Sequence, residues 1–337
     1  MELGPTGILL INLGTPDAPT RGSVYRYLKE FLLDPRVIDI NPVARNLLVR
    51  GIIAPFRSGS SAQLYQKLWT DKGSPLKYYG LSLAAQIQQQ LGERYVVALG
   101  MRYQNPSIES AIHTLMQAKV RSIKVFPLFP QYASVTTGSA HEEVMRVVMR
   151  QQVIPEMEFV NAYPDWPAMI DLFVANARRY ELSTYDHFLF SYHGLPQRQL
   201  RKADAFQHCL QSPDCCKRIT PANQFCYSAQ CYNTTQAIVN QLGLTDGQYT
   251  TCFQSRLGRD PWTQPYTAQV LERIAKSGAK RLLVFCPAFT ADCLETTIEV
   301  GLEYKEDFLK MGGEQLDLVE SLNDSPAWAR AIAERLA

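Results

Sequence analysis

The stretch RLLVFCPAFTADCLETTIEVGLEYKEDF, residues 281–308, decides the fold. It starts with Leu282, Leu283, Val284 and Phe285, an unbroken apolar run without helical spacing, which reads as a strand buried on both faces. Pro287 closes it, because proline has no N–H to give a sheet ladder. After the Ala-Phe-Thr turn a helix is expected, carrying Asp292, Glu295, Glu299, Glu303 and Glu306. At about 100° per residue these carboxylates fall within an arc of roughly 80°. Like charges four apart weaken a helix by about 0.2–0.5 kcal/mol per pair. The helix dipole relieves only the first turn. A hydrated acidic face is the plain reading. The second rests on position: the stripe begins at the C-terminal end of a strand, where parallel α/β sheets place their ligands. A row of carboxylates leading there suits cations, either metal or proton.

Outward from this stretch, eight apolar strand candidates alternate with helical segments. They are 7–13, 95–103, 122–129 and 157–163, then 187–193, 249–255, 281–289 and 315–322. Long crossovers between apolar runs predict parallel sheets with helices on both faces. The expected fold is therefore α/β, two similar doubly wound domains with a four-stranded parallel sheet each, facing across a cleft. The first strands of the two halves end alike, NLGTP at 12–16 and YHGLP at 192–196. So do the third strands, VFPLF at 125–129 and FCPAF at 285–289. The pattern reads as an internal duplication that aims Leu13 and His193 into one cleft. The expected division is residues 1–165, then 166–322, then a helix in 323–337 that packs back on the body. An excursion at about 34–75 mixes aliphatic residues with arginines. It reads either as a buried helix or as an apolar lip over a ligand mouth that touches a membrane surface.

Composition narrows the functional classes. The chain has 337 residues, 46% hydrophobic and 20% charged, the balance of a globular protein. A net charge of +2 gives no field that points to nucleic acid. No apolar run approaches the roughly 20 residues that span a bilayer. No signal peptide is recognisable, which implies the cytosol, at most peripheral to the inner face of the membrane. No nucleotide is expected, since neither a GxxxxGK[ST] loop nor a GxGxxG fingerprint occurs.

Five of the eight cysteines, Cys209, Cys215, Cys216, Cys226 and Cys231, crowd into about 202–231. In a reducing compartment such a group suggests metal more than disulfides. Of the five histidines, His193 alone ends a strand candidate before a glycine. A strand-end histidine is commonly structural, but opposite an acidic stripe a neutral imidazole can bind a divalent metal or accept a proton.

These residues sit in segments that together closely resemble the ferrochelatase family, nearly end to end. The segments are LINLGTP at 10–16, MRY at 101–103, FPQY at 129–132 with TTGS at 136–139, and SYHGLP at 191–196. FQSR at 253–256, PW at 261–262 and FTADCLET at 289–296 complete the set. The resemblance implies two Rossmann-like domains around a porphyrin cleft, ferrous iron and protoporphyrin IX as substrates, and release of two protons as haem forms. It implies that His193 and Glu295 are catalytic and meet the metal. Asp292, Glu299 and Glu303 would lie on a distorted helix that passes metal or protons. Leu13, Arg102, Tyr103 and Trp262 would line the macrocycle pocket, and Arg57 would meet a propionate at the lip. An aliphatic residue at Leu13 favours protoporphyrin over the more charged coproporphyrin III, the alternative substrate. A chelatase for another metal or tetrapyrrole and a haem-carrying protein are the rivals; a serine hydrolase lacks its GxSxG elbow.

The family's animal-type [2Fe–2S] cluster is not expected, because Ser134 stands where that form has a cysteine and no C-terminal cysteine extension follows. Residues near 202–225 look instead like an insertion. Its C-x₅-CC-x₉-C spacing departs from common zinc patterns. Cys209, Cys215, Cys216 and Cys226 could hold a [2Fe–2S] cluster as some bacterial members do, or zinc, or remain free thiols.

Overall fold

The computed structural model describes residues 4–256, 258 and 260–337. It contains two sheets of four parallel strands. The first comprises β1 (Thr6–Gly14), β2 (Tyr95–Tyr103), β3 (Ser122–Pro127) and β4 (Glu156–Phe159), in the order β2-β1-β3-β4. The second comprises β5 (His187–His193), β6 (Tyr249–Gln254), β7 (Arg281–Phe285) and β8 (Gln315–Leu318), in the order β6-β5-β7-β8. The same permutation occurs twice, as the sequence pattern predicts.

Helices cover both faces of each sheet, so the central strands read as continuous apolar runs rather than alternating ones. Ile8, Leu9, Leu10 and Ile11 of β1 are all fully buried, as are Leu282 and Leu283 of β7. Each such side chain contributes about 1.5–3 kcal/mol of gross burial, most of it offset by lost chain entropy. Five expected strands run long, and of these 157–163, 249–255 and 315–322 end at Phe159, Gln254 and Leu318. Expected 122–129 stops at Pro127 and expected 281–289 at Phe285, because the prolines cannot donate to a ladder. In both sheets the connection after this strand enters a π-helix, Ser134–Gly138 in one and Leu294–Tyr304 in the other.

Two compact units result. One contains residues up to Phe129, Ser134–Asn161 and Asn323–Ala337; the other contains Pro130–Ala133 and Ala162–Leu322. The helix Pro326–Leu336 thus belongs to the first unit, with Trp328 fully buried. There Gln86 donates to the Asp324 carbonyl at 2.6 Å and Tyr95 to that of Ala337 at 3.1 Å.

The 34–75 excursion forms the helix Pro42–Leu48, a π-turn Val49–Ile53 and the helix Ala54–Leu68. Val43, Leu47, Ile52 and Phe56 are 69%, 71%, 56% and 79% exposed, so the segment is not a buried helix. Its outer face is an exposed apolar surface, while Val49 and Ala54 pack inward on Leu32. No helix among the described residues is long and apolar enough to cross a membrane.

Candidate active site

In a sheet ordered 2-1-3-4 the connections leave in opposite directions from the first and third strands, which opens a crevice at their carboxyl ends. Leu13 lies near that end of β1 and His193 at that end of β5. A glycine follows each for a steric reason. A Cβ at Gly14, where φ is +121°, would lie 2.0 Å from the Tyr103 carbonyl oxygen. One at Gly194 would lie 2.8 Å from that of Gln254. Both glycines let the chain turn against the neighbouring strand.

His193 is half-buried, and its ring centroid lies 6.4 Å from that of Trp262. Its Nδ1 is 2.7 Å from the Gly194 carbonyl oxygen. A carbonyl only accepts, so Nδ1 carries the hydrogen, and in the neutral ring Nε2 holds the lone pair. The imidazole is thereby set to accept a proton or a metal at Nε2. Trp262 is held by a bridge to Pro196 and by Gln197, which donates to its carbonyl at 3.2 Å.

The acidic segment differs from the expected α-helix. Asp292 precedes the helix, Cys293 caps it, and Leu294–Tyr304 is π-helical before an α-helix resumes at Lys305–Lys310. The i→i+5 bonding of a π-helix turns less per residue than an α-helix, so four residues still make nearly one turn and Glu295, Glu299 and Glu303 share a face, whereas Asp292 lies before the helix and Glu306 in the α-helix beyond it. Glu299 is half-buried and accepts four bonds, from the Ser255 N–H at 2.9 Å, Ser255 Oγ at 2.6 Å, Gln254 Nε2 at 3.0 Å and Tyr304 OH at 3.0 Å. Burial, then Glu299, pushes the Tyr304 hydroxyl upward, which keeps it a donor. Glu295 is half-buried with the Cys293 thiol in hydrogen-bond contact, while Glu303 and Glu306 are exposed. Glu306 lies 3.8 Å from Lys310.

Gln254 joins the histidine to this segment, a role that sequence reasoning missed. It is 1% exposed and pairs with His193 across the β5–β6 ladder. Its Oε1 accepts from Ser191 at 2.6 Å, and its Nε2 donates to the Glu295 carbonyl at 2.8 Å as well as to Glu299.

In the first unit Arg102 and Tyr103 form a network around Asp34. Arg102 donates to Asp34 at 2.7 Å and to the Ser139 carbonyl at 3.1 Å, and its guanidinium lies 4.7 Å from the Tyr103 ring centroid. Tyr103 is fully buried and donates to Asp34 at 2.9 Å. Burial, then Asp34, holds its hydroxyl protonated. Tyr103 thus has no exposed surface, while Arg102 and Leu13 keep partial exposure. Arg57 is exposed on Ala54–Leu68. Asp34, buried at the end of the helix Arg21–Leu33, was not foreseen either.

The cysteine loop gathers four thiols. Cys215 and Cys216 sulfurs are 3.6 Å apart, and Cys226 is in hydrogen-bond contact with Cys209 and Cys216. Those two thiols pull the Cys226 pKa down to about 3, and the amides of Ala229 and Ser228 lower it further. Cys209 and Cys216 are pushed upward, first by Cys226 and then by burial. Asn223 organises the loop. It donates to the carbonyls of Cys215 and Arg218, both at 2.8 Å, and its own carbonyl accepts from the Cys226 N–H at 2.8 Å. Cys231 is fully buried inside the helix Tyr227–Leu242.

Among the described residues no group of three or more His, Cys, Asp or Glu side chains is arranged to hold a metal ion. His193, Asp292, Glu295, Glu299 and Glu303 therefore form no preassembled metal centre. Glu299 is occupied by four donors, Asp292 precedes the helix and Glu303 is exposed.

Comparison with known proteins places this geometry. Solved structures of SirB from Bacillus subtilis with Fe3+ and of the sirohydrochlorin chelatase SirB from Bacillus subtilis subspecies spizizenii in complex with cobalt are similar in fold. Each has a TM-score of 0.53 at 11% identity and covers 98% of this chain, with 94% and 93% of those chains covered. The ferrochelatase of Legionella pneumophila (strain Paris) is 44% identical over 326 residues, 97% of each chain. That of Coxiella burnetii (strain CbuK_Q154) is 45% identical over 332 residues, 97% of this chain and 92% of that one. Residues 5–337 match the sequence model of the family described as Ferrochelatase. With that match over nearly its whole length, the chain belongs to the ferrochelatase family, enzymes that insert a metal ion into a porphyrin.

Proposed function

We propose that the chain inserts ferrous iron into protoporphyrin IX, with His193 as the group that meets the pyrrole protons or the incoming metal. The observation that carries this reading is the Nδ1–H bond to the Gly194 carbonyl at 2.7 Å, which leaves the Nε2 lone pair at a strand end in the sheet's crevice. Metallation removes two pyrrole protons and strips water from Fe²⁺. Bending the macrocycle exposes the pyrrole lone pairs at a cost of about 1–5 kcal/mol, supplied by contacts remote from the metal. Leu13, Trp262 and Arg102, the last backed by Tyr103 and Asp34, supply those contacts. Arg57 meets a propionate. Glu295 serves His193 as acid–base partner, and Asp292, Glu299 and Glu303 belong to the route for metal or protons. The metal is a substrate and must pass on, so an open, incomplete ligand set suits it better than a closed site.

Two features support protoporphyrin over coproporphyrin III: an aliphatic side chain at Leu13, and an exposed apolar lip with Val43, Leu47 and Phe56 that suits a less charged macrocycle. The lip also supports peripheral contact of a cytoplasmic protein with a membrane surface. The test is an anaerobic assay with Fe²⁺ and either porphyrin, following loss of porphyrin fluorescence. A higher kcat/KM with protoporphyrin is expected; a preference for coproporphyrin III would replace the substrate reading.

The cysteine loop fits a [2Fe–2S] cluster in donor type. Four thiols lie in one short segment, the number such a cluster takes, with Cys226 against Cys209 and Cys216 and Cys215 beside Cys216, although they are not arranged around a common metal position. Cys209, Cys215, Cys216 and Cys226 would hold it. It would supply structure or redox sensing, since metallation moves no electrons. Zinc and free thiols are the outcomes that oppose it.

A further inference from the structure

We propose that Tyr227 is a positioning residue that ties the state of the cysteine loop to the imidazole of His193. The proposal deepens the reading of His193 given above and rests on it. Tyr227 is the first residue of the helix Tyr227–Leu242, and Cys226 is that helix's N-cap. The Tyr227 side chain is buried at 7% exposure, and its hydroxyl donates to the His193 main-chain carbonyl at 2.9 Å. A buried tyrosine hydroxyl needs a partner. Here the Cys231 thiol contacts it, and the acceptor of its hydrogen is the peptide from which the histidine ring is hung.

Two consecutive peptides set that ring. The 193–194 peptide is gripped on one side by Tyr227 and on the other by the Gly194 N–H, which donates to the Gln254 carbonyl at 2.8 Å. The 194–195 peptide carries the carbonyl that accepts Nδ1–H, and its N–H, that of Leu195, goes to Thr263 Oγ1 at 3.1 Å. Gln254 and Thr263 belong to β6 and to the segment that follows it. Tyr227 is the anchor that comes from the helix behind the cysteine loop. Without its bond the 193–194 peptide can rotate, and the acceptor that fixes the tautomer moves with it.

The other end of the linkage is the thiol group. Cys226 touches Cys209 and Cys216 through sulfur, and its N–H is bound by Asn223, which also holds the Cys215 carbonyl. A change among these sulfurs, whether a bound metal, a cluster or a lost thiol, acts on the helix N-cap one peptide away from Tyr227. The path from loop to imidazole is therefore four covalent and hydrogen-bonded steps within one unit.

Tyr227→Phe removes one oxygen and keeps the packing. Losing one hydrogen bond of ordinary strength predicts a fall of about fivefold in kcat, with the KM for porphyrin unchanged. In protein labelled with ¹⁵N at histidine, the His193 signals should pass from the Nδ1–H tautomer to a mixture. In a second arm, Cys209→Ser with Cys216→Ser should shift the His193 signals in the Tyr227 background and shift them much less in Tyr227→Phe. Unchanged kcat and tautomer in Tyr227→Phe would overturn the proposal. Equal shifts in both backgrounds, or no shift of His193 in the cysteine variant, would overturn it as well; the last holds even if Tyr227→Phe does not fold. A loop found without iron and sulfide defeats only the cluster reading, because neither arm depends on loading. Full turnover in His193→Ala defeats the reading of His193 itself.

Discussion

Glu299→Gln should unlock the junction between β6 and the π-helix, and its cost can be worked out from the four donors. Ser255 N–H and Gln254 Nε2 cannot accept, whereas Ser255 Oγ and Tyr304 OH can turn and accept. The two nitrogen donors sit on different carboxylate oxygens, so either orientation of the new amide points its NH₂ at one of them. One bond is lost with donor facing donor, about 1–3 kcal/mol, and the two on the carbonyl side lose charge assistance, about 1 kcal/mol each. Partial exposure lets water repair some of this, which leaves about 2–4 kcal/mol. A second observation sharpens the test: Ser255 sits at φ +64°, a left-handed conformation that Glu299 holds through both its N–H and its hydroxyl. The assay is denaturant unfolding, with hydrogen exchange of Tyr249–Gln254 assigning the transition to this unit. Ser255→Gly relaxes the backbone requirement, so the double variant should lose less than the sum of the singles. A midpoint unchanged to within about 0.5 kcal/mol, the usual effect of an uninvolved surface residue, would refute the argument.

His193→Ala should lower metal insertion by at least about 100-fold, the scale of lost acid–base catalysis, while porphyrin still quenches protein fluorescence on titration. Glu295→Gln should reduce turnover severely and Glu303→Gln, on an exposed position, much less; the reverse order would misplace the acid–base partner. Protein purified without oxygen should absorb visible light and contain about two iron and two sulfide per chain. Cys215→Ser with Cys216→Ser should remove the colour and lower stability, whereas a colourless protein with one zinc would dismiss the cluster. Leu47→Ser with Phe56→Ser should weaken sedimentation with anionic liposomes and leave insertion into a detergent-dispersed porphyrin intact.

The strands were legible because a buried parallel strand needs little more than a short apolar run. His187–His193 and Tyr95–Tyr103 have the expected bounds, and the duplicated NLGTP and YHGLP endings foretold that Leu13 and His193 occupy equivalent strand ends. The glycines after them were legible as turns. The distance that makes them obligatory, 2.0 Å from a Gly14 Cβ to the Tyr103 oxygen, needs the neighbouring strand. The acidic stripe was legible for Glu295, Glu299 and Glu303, but the helix that carries them winds as a π-helix over Leu294–Tyr304, with Asp292 before it and Glu306 beyond it.

Apolar residues reveal themselves by periodicity, because each is buried for its own surface alone. Polar residues take their roles from partners that only folding supplies. Nothing in the order of residues marks Gln254 as the link between His193 and Glu299, Asp34 as the acceptor behind Arg102 and Tyr103, or Asn223 as the clamp of the cysteine loop. Even the segment at 42–57 could be read either way, for the same aliphatic spacing serves a buried helix and an exposed one. The sequence determined which strands form, since local hydrophobicity suffices for that, but it overran the carboxyl ends of five of them. The tertiary structure decided which polar atoms meet and which apolar faces stay open, because hydrogen bonds and burial depend on what the rest of the chain brings alongside.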